Sequence, residues 1–197
     1  MLEFAVLGLL SEAPMHGYEL RQRLKAVLGA FRAFSYGSLY PTLRRMRERG
    51  WIVEEAPDPG STAPALTGRR GKVSYRLTAE GKERLAELLR EAGPTAYDDE
   101  GFGVHFAFFA QTDAAVRLPI LEGRRHRVEE RRDGLRAGLA RTRAKLDRYT
   151  LQLQEHGLDA VEREVRWLTE LIDSEKDDAR AEAARAQPPE TAPPRTT

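Results

Sequence analysis

The sequence predicts a mainly α-helical protein that contains one small β-hairpin. Apolar residues recur at helical spacing over most of the 197 residues, two short alternating runs flank a loop rich in Pro and Gly, and a long charged helical pattern follows. Cysteine is absent, which excludes disulfides, thiolate metal sites and cysteine nucleophiles. The apolar run LEFAVLGLL near the N-terminus is too short to span a bilayer, so we expect a cytoplasmic protein without a membrane partner.

The distribution of charge is more informative than its sum. The formal net charge is +1, although 32% of the residues are charged. Basic residues are concentrated in three runs, at 44–49, 69–72 and 124–132. Any one run alone is best explained as a solvated surface. The first two runs together favour a nucleic-acid partner, provided that the fold brings them to one side.

Two helices are expected before residue 30, separated by Pro14. The first covers residues 2–11, and the second runs from about His16 to Gly29, which suits a left-handed C-terminal position. Their buried sides are expected to carry Leu2, Val6, Leu9 and Leu10 in the first helix and Leu20, Leu24, Val27 and Leu28 in the second. Both helices are interpreted as scaffold.

A third helix, short and basic, follows the run AFRAFSYGS. Ser38 is its N-cap candidate, Pro41 falls in its first turn, and Gly50 ends it. Its inward stripe is expected to be Leu39, Leu43 and Met46. The other faces are left with Ser38, Tyr40, Thr42, Arg44, Arg45, Arg47 and Arg49.

Two strands are expected next, at 51–56 and 73–77. The loop between them is rich in Pro, Gly, Ser and Thr and ends in a basic tip formed by Arg69, Arg70 and Lys72. A fourth helix begins after Thr78, a favourable N-cap, and runs towards Gly93 and Pro94. Helices followed by a hairpin with a basic loop predict a winged helix–turn–helix.

Four segments are predicted. They are a winged-helix domain at 1–93, a linker at 94–100, a helical dimerisation domain at 101–178 and a disordered tail at 187–197. The run FGVHFAFFAQ, which opens the second domain, is too aromatic to be left exposed.

The second domain is predicted to be coiled-coil-like. One long helix is expected from about residue 113 to 156, with Gly157 as its end and Asp159, followed by Glu162, as the capping box of another. The two helices should pack antiparallel. In the first helix, heptad position a is occupied by Leu121, Val128, Leu135, Thr142 and Tyr149, and position d by Arg125, Arg132, Leu139, Leu146 and Leu153. The buried stripe of the second helix is expected to be Val161, Val165, Leu168 and Ile172.

Enzymatic functions are disfavoured by the residues present. The four histidines are scattered, and none has a partner at a recognised metal-ligand spacing. Phosphate-binding glycine motifs are also absent from the sequence. We therefore expect a protein that is not an enzyme and has no cofactor and no metal.

Binding to double-stranded DNA is favoured because several signals converge. The major groove accepts one helix, and arginines there reach guanine edges or phosphates. Arg44 and Arg45 lie in the N-terminal half of the third helix, which usually approaches base edges, while Arg47 and Arg49 suit phosphates or solvent. The wing tip, Arg69, Arg70 and Lys72, would contact the neighbouring backbone or minor groove.

Three segments are informative in combination: HGYEL at 16–20, YGSLYPTLRRMRERGWI at 36–52 and YRLTAEGKERL at 75–85. Together they resemble the PadR family, named for the phenolic acid decarboxylase regulator. The resemblance implies a dimeric bacterial transcription regulator, usually a repressor, whose SLYPTL helix enters the major groove. The positions that match the family's reading surface are Tyr36, Ser38, Tyr40, Pro41, Thr42 and Arg44. The loop at 57–71 is longer than is typical of the family, by the insertion STAPALTG.

The expected partners are a palindromic DNA operator, a second copy of the chain and a small-molecule effector. Arg124, Arg125, Arg131 and Arg132 form a candidate site for an anionic effector such as a nucleotide. Alternatively, Arg125 and Arg132 at the seam extend to the surface and pair with Glu122, Glu129 or Glu130. Planar apolar ligands are a second option, at Phe102, Phe106, Phe108, Phe109 and Trp167, which alternatively form plain dimer core. The alternative function is a protein-interaction module without sequence-specific DNA binding.

Overall fold

A computed structural model of the chain describes residues 1–29, 38–55 and 73–186. The chain divides into two compact units, Met1–Ile120 and Leu121–Thr197. Within the described residues, no helix is long and apolar enough to cross a membrane. The predicted tail at 187–197 lies outside the described residues.

The elements confirm a mainly helical fold with a small antiparallel sheet. The helices are α1 (Leu2–Glu12), α2 (Gly17–Leu28), α3 (Leu39–Glu48), α4 (Ala79–Leu89), α5 (Pro94–Tyr97), α6 (Phe102–Ala107), α7 (Ala114–Thr142) and α8 (Arg148–Ala186). The strands are β1 (Met15–His16), β2 (Ile52–Glu55) and β3 (Ser74–Leu77). Short 3₁₀ turns lie at Phe109–Gln111 and Arg143–Lys145.

Helix α1 forms the centre of the first unit. All seven residues from Phe4 to Leu10 are buried, so the helix is enclosed on every side. A helix that is apolar all round is stable only inside a protein. The helices α2, α3 and α4 and the strand β3 pack against it.

The sheet has the strand order β1-β3-β2, and both pairings are antiparallel. In the hairpin, Ile52 is opposite Leu77, and both side chains are buried. The predicted hairpin is therefore confirmed. The third strand, β1, was missed because two residues are too few to show an alternating pattern.

The end of α2 differs from the prediction in two details. Val27 is 36% exposed, whereas Leu20, Leu24 and Leu28, which follow one another at four-residue spacing, are buried. Gly29 has a right-handed backbone, with φ −59° and ψ −30°, because the helical conformation continues through the C-cap.

The aromatic segment that includes α6 packs on α1. A Cβ at Gly8 would lie 2.3 Å from Cε1 of Phe108, so the missing side chain of this glycine makes room for the ring. The first compact unit consequently extends to Ile120, beyond the predicted linker at 94–100. Part of that linker forms the short helix α5. The division into functional domains at that linker stays a prediction.

His105 of α6 is buried in this packing, with 1% of its surface exposed. Its ring meets the Phe4 ring edge-on, with centroids 4.8 Å apart. The Nε2 atom has no hydrogen-bond partner among the described residues. Burial, and after it the charge of the chain N-terminus, lowers the pKa of His105 to about 4, while Asp98 opposes the shift.

The second unit contains most of α7 and all of α8, which pack antiparallel as expected. The predicted stripe of Val161, Val165, Leu168 and Ile172 is buried. Ion pairs connect the two helices at positions that run in opposite order along them, at Glu122–Lys176 and Arg136–Glu162, and Arg143 of the turn pairs with Glu155 of α8.

The predicted break between these helices was wrong. Gly157 and Asp159 lie inside α8, and the chain turns instead at 143–147. Asp147 caps α8, because its Oδ1 accepts hydrogen bonds from the backbone amides of Tyr149 and Thr150. Glycine within a helix costs only about 1 kcal/mol relative to alanine, which the packing of the following stripe offsets.

This turn also interrupts the predicted heptad seam. Leu121 and Val128 are buried on α7, but Tyr149 and Leu153 belong to α8, where they are 79% and 67% exposed. A continuous seam over 121–153 was therefore wrong for the single chain, because a heptad pattern requires one uninterrupted helix.

Replacing Asp147 by Ala should lower the midpoint of thermal unfolding by a few degrees, because α8 loses its cap. Asp159→Ala is the matched control, since this side chain is exposed inside the same helix. Calorimetry on both variants makes the measurement. A loss confined to Asp159→Ala would restore the predicted break.

The burial of His105 should make stability depend on pH. Because the folded pKa is about 4 and the usual value is 6.5, the unfolded chain binds the extra proton between these values. The histidine's contribution is therefore present above pH 6.5 and is lost as the pH falls towards 4.

His105→Phe should flatten this part of the dependence, measured as the unfolding midpoint between pH 7 and pH 4.5. His126→Gln is the control, because the His126 side chain is 76% exposed. Equal slopes for wild type and His105→Phe would contradict the assignment.

Candidate nucleic-acid interface

Helix α3 presents one broad exposed face. Leu39, Leu43 and Met46 are buried against the core, as predicted. At helical spacing Pro41, Arg44 and Glu48 lie opposite this stripe, and all three are exposed. Tyr40, 58% exposed, lies beside Arg44 one turn earlier. The first half of this face is therefore aromatic and basic.

Thr42 is not on that face. Its side chain is 1% exposed, and its Oγ1 accepts a hydrogen bond from Nη2 of Arg45 at 3.0 Å. Position 42 falls at the margin of the buried stripe, which explains why a polar residue there is enclosed. In this position the Thr42 side chain orients Arg45. A direct contact between Thr42 and a base would require a rearrangement.

The arginines of α3 and of its C-cap, Arg49, differ in their partners. Glu3 of α1 pairs with Arg45, at 3.6 Å from its Nε, and with Arg49, at 3.2 Å from its Nη1. Arg47 donates to Glu54 of β2 at 2.5 Å. Among the residues that the structure describes, Arg44 forms no ion pair. It is therefore the arginine of this helix that is most available to a ligand.

The end of α3 is fixed by hydrogen bonds. Gly50 has a positive φ of 75°, and the amides of Gly50 and Trp51 donate to the carbonyls of Arg47 and Met46. This is a Schellman motif, which glycine favours because it needs a left-handed residue. The predicted role of Gly50 is confirmed.

Helix α4 is joined to the end of α3. Thr78 caps α4 through Gly81 and donates its hydroxyl to the Gly50 carbonyl at 2.6 Å. A Cβ at Gly81 would lie 2.0 Å from the carbonyl oxygen of Trp51, so only glycine fits. The predicted N-cap of α4 is confirmed. The same residue, Thr78, also joins α4 to the end of α3.

Two aromatic residues support the same region. The guanidiniums of Arg49 and Arg84 lie 4.9 Å and 5.9 Å from the Trp51 ring, within the range of cation–π attraction. Tyr75 of β3 is half-buried. Burial and then the Glu54 carboxylate raise its pKa above the usual value, so it remains a neutral phenol.

Other predicted DNA contacts cannot be placed on this surface. Tyr36 and the wing residues Arg69, Arg70 and Lys72 lie outside the described residues. Ser38 is exposed immediately before α3. Sequence reasoning missed the acidic partners Glu3 and Glu54, because they are distant in sequence from the arginines and neither carries a motif.

The candidate effector arginines lie in the second unit. Arg124 is 8% exposed and binds Glu164, at 2.9 Å through Nε and 2.7 Å through Nη2. Arg132 pairs with Asp133 at 2.9 Å. Arg131 is exposed and Arg125 is half-buried. Arg132 thus forms an ion pair, as the alternative expected of it, but its partner is Asp133 and not Glu122, Glu129 or Glu130.

The candidate aromatic site is filled by its own side chains. Phe106 stacks on Phe102 and contacts Phe109, with centroids 5.6 Å and 5.1 Å apart. Phe108 is 3% exposed and packs on Phe4. Trp167 belongs to the second unit. In the described part of the chain, no group of acidic or histidine side chains could hold a metal ion.

The central helix α1, the helix α3 with its Schellman motif and the antiparallel hairpin of β2 and β3 define a winged helix–turn–helix, a class of DNA-binding domain. Residues 6–87 match the sequence profile of the "Transcriptional regulator PadR-like family". The match covers the winged-helix part of the chain, so these residues resemble PadR-like transcriptional regulators.

Two relatives are named as a transcriptional regulator and a probable transcriptional regulator. The chain is 29% identical over 89 residues to the negative transcriptional regulator PadR of Bacillus subtilis (strain 168), covering 45% of each chain. It is 29% identical over 117 residues to a probable transcriptional regulator of Mycobacterium tuberculosis (strain ATCC 25618 / H37Rv), covering 59% of this chain and 57% of the relative. The chain thus spans about half the length of these relatives.

Among solved structures, the chain is similar to Bacillus subtilis PadR in complex with operator DNA. The identity is 20%, the coverage is 88% of this chain and 98% of that one, and the TM-score is 0.40. The resemblance to the family depends on the sequence match over residues 6–87.

Proposed function

We propose that this protein is a PadR-like regulator, which binds a specific DNA operator as a homodimer and represses transcription in the cytoplasm. The observation that carries the proposal is Arg44, exposed beside Tyr40 on the N-terminal half of α3 and without an ion pair among the described residues. A guanidinium in the major groove makes two hydrogen bonds to guanine O6 and N7. Repression is supported by a relative that is named a negative regulator.

The two halves of α3 are assigned different roles in this proposal. Tyr40, Pro41 and Arg44 form the reading surface, with Ser38 and Tyr36 before them. Glu48 lies on the same exposed face, and a carboxylate there disfavours close approach of phosphates. The base contacts are therefore expected from the first half of the helix. The basic wing residues Arg69, Arg70 and Lys72 add phosphate contacts that carry no sequence information.

Pairing of two copies would supply the second half-site. Two recognition helices related by a two-fold axis fit half-sites about 34 Å apart, one turn of duplex. The exposed Tyr149 and Leu153 of α8 support pairing through the second unit, since large apolar side chains that stay in water on one chain are typical of an interface.

An effector remains a prediction. Intramolecular ion pairs occupy Arg124 and Arg132, so an anionic ligand would have to compete with Glu164 and Asp133. Arg125 and Arg131 complete the predicted anion site. The alternative site for a planar apolar ligand would have to open the ring packing around Phe106.

The alternative function is a protein-interaction module. Selection of duplexes from a random pool separates the two functions, because a reader of DNA enriches one sequence and an interaction module enriches none. A homodimer further requires that the enriched sequence be an inverted repeat with about one turn between half-site centres.

Arg44→Ala should weaken binding to the selected operator about 10- to 100-fold, the cost of one bidentate base contact. Arg47→Ala is the matched control, because Arg47 is already paired with Glu54; its loss should be smaller and equal for all sequences. Fluorescence anisotropy with operator and mixed-sequence duplexes makes the measurement. Unchanged operator affinity in Arg44→Ala would sink the assignment.

A further inference from the structure

The start of α1 places one carboxylate against two arginines, Arg45 of α3 and Arg49 at the C-cap of that helix. Glu3 Oε1 lies 3.6 Å from Nε of Arg45, and its Oε1 and Oε2 lie 3.4 Å and 3.2 Å from Nη1 of Arg49. The Glu3 side chain is 28% exposed, and those of the arginines are about half exposed. The Glu3 carboxylate therefore pairs with two guanidiniums at the edge of the candidate interface.

Each arginine is also held by a second group. Thr42 accepts a hydrogen bond from Arg45, and the guanidinium of Arg49 lies over the Trp51 ring. Both side chains are therefore directed along the edge of α3 that faces α1. Arg44, which has no such partner among the described residues, differs from them in this respect.

Phosphate contacts govern binding to DNA without a preferred sequence. Each arginine or lysine that neutralises a phosphate steepens the salt dependence of the affinity by about one unit of slope. An arginine that is already neutralised inside the protein must leave its partner before it can do the same. A carboxylate shared by two arginines therefore reduces non-specific affinity.

We propose that Glu3 is a specificity-determining residue, which restrains Arg45 and Arg49 and so lowers the affinity for non-operator DNA. The affinity for the operator is affected less. In that complex, base contacts fix the position of the protein along the duplex, and the two guanidiniums reach only the phosphates at that position. The inference rests on the proposed function and adds a residue outside the reading helix to it.

Glu3→Gln removes the charge and keeps the size of the side chain. Its affinity for a short mixed-sequence duplex should rise about 3- to 10-fold, the order expected from exposed ion pairs and one gained phosphate contact. The slope of log affinity against log salt should become steeper by about one unit. The affinity for the operator should rise less, so the ratio of the two affinities falls.

Glu12→Gln is the matched control. Glu12 lies on the same helix, loses the same charge, and pairs with Arg23 of α2 instead of an arginine of α3. It should leave the affinity and the slope unchanged. A second control introduces Glu3→Gln into the Arg45→Gln/Arg49→Gln background, where the substitution should have no further effect because its partners are gone.

The outcomes separate the two proposals. If wild type binds the operator and Glu3→Gln matches both wild type and Glu12→Gln, the role of Glu3 is refuted while the proposed function stands. Equal gains in Glu3→Gln and Glu12→Gln would also refute it, because net charge alone would then explain the gain. If wild type prefers no sequence, the proposed function fails and this inference fails with it.

Discussion

The burial of α1 is the constraint on which the candidate interface depends. Seven consecutive residues, from Phe4 to Leu10, are enclosed by α2, α3, α4 and β3, and the aromatic segment around α6 covers a further side. Because interiors are close-packed, displacing this helix would move several elements together. The same helix carries Glu3, so the element that supports α3 also sets the electrostatics of its edge.

Position and charge of α3 are controlled separately. Its position is fixed by the buried stripe, by the left-handed Gly50 and by the contact of Gly81 with the Trp51 carbonyl. Its charge is moderated by carboxylates on either side, Glu3 from α1 and Glu54 from β2. A basic helix alone would bind any duplex, so restraint of its outer arginines favours discrimination.

Much of this could be predicted from local sequence. The stripe of α3, the cap at Thr78 and the hairpin follow from periodicity and capping chemistry, which involve residues close together in the chain. The turn at 143–147 could not be found in this way, because Asp147 caps α8 while the stronger glycine signal at Gly157 is absorbed inside the helix. The burial of Thr42 and the pairing of Glu3 depend on tertiary contacts that no local pattern encodes.

Methylation interference on a selected operator tests the central claim most directly, because guanine N7 is the atom that an arginine in the major groove would contact. The account predicts that methylation of a guanine in each half-site blocks binding by wild type and has no effect on the residual binding of Arg44→Ala. The same guanines blocking both proteins equally, or no guanine blocking either, would contradict the assignment of Arg44 as a base-reading residue.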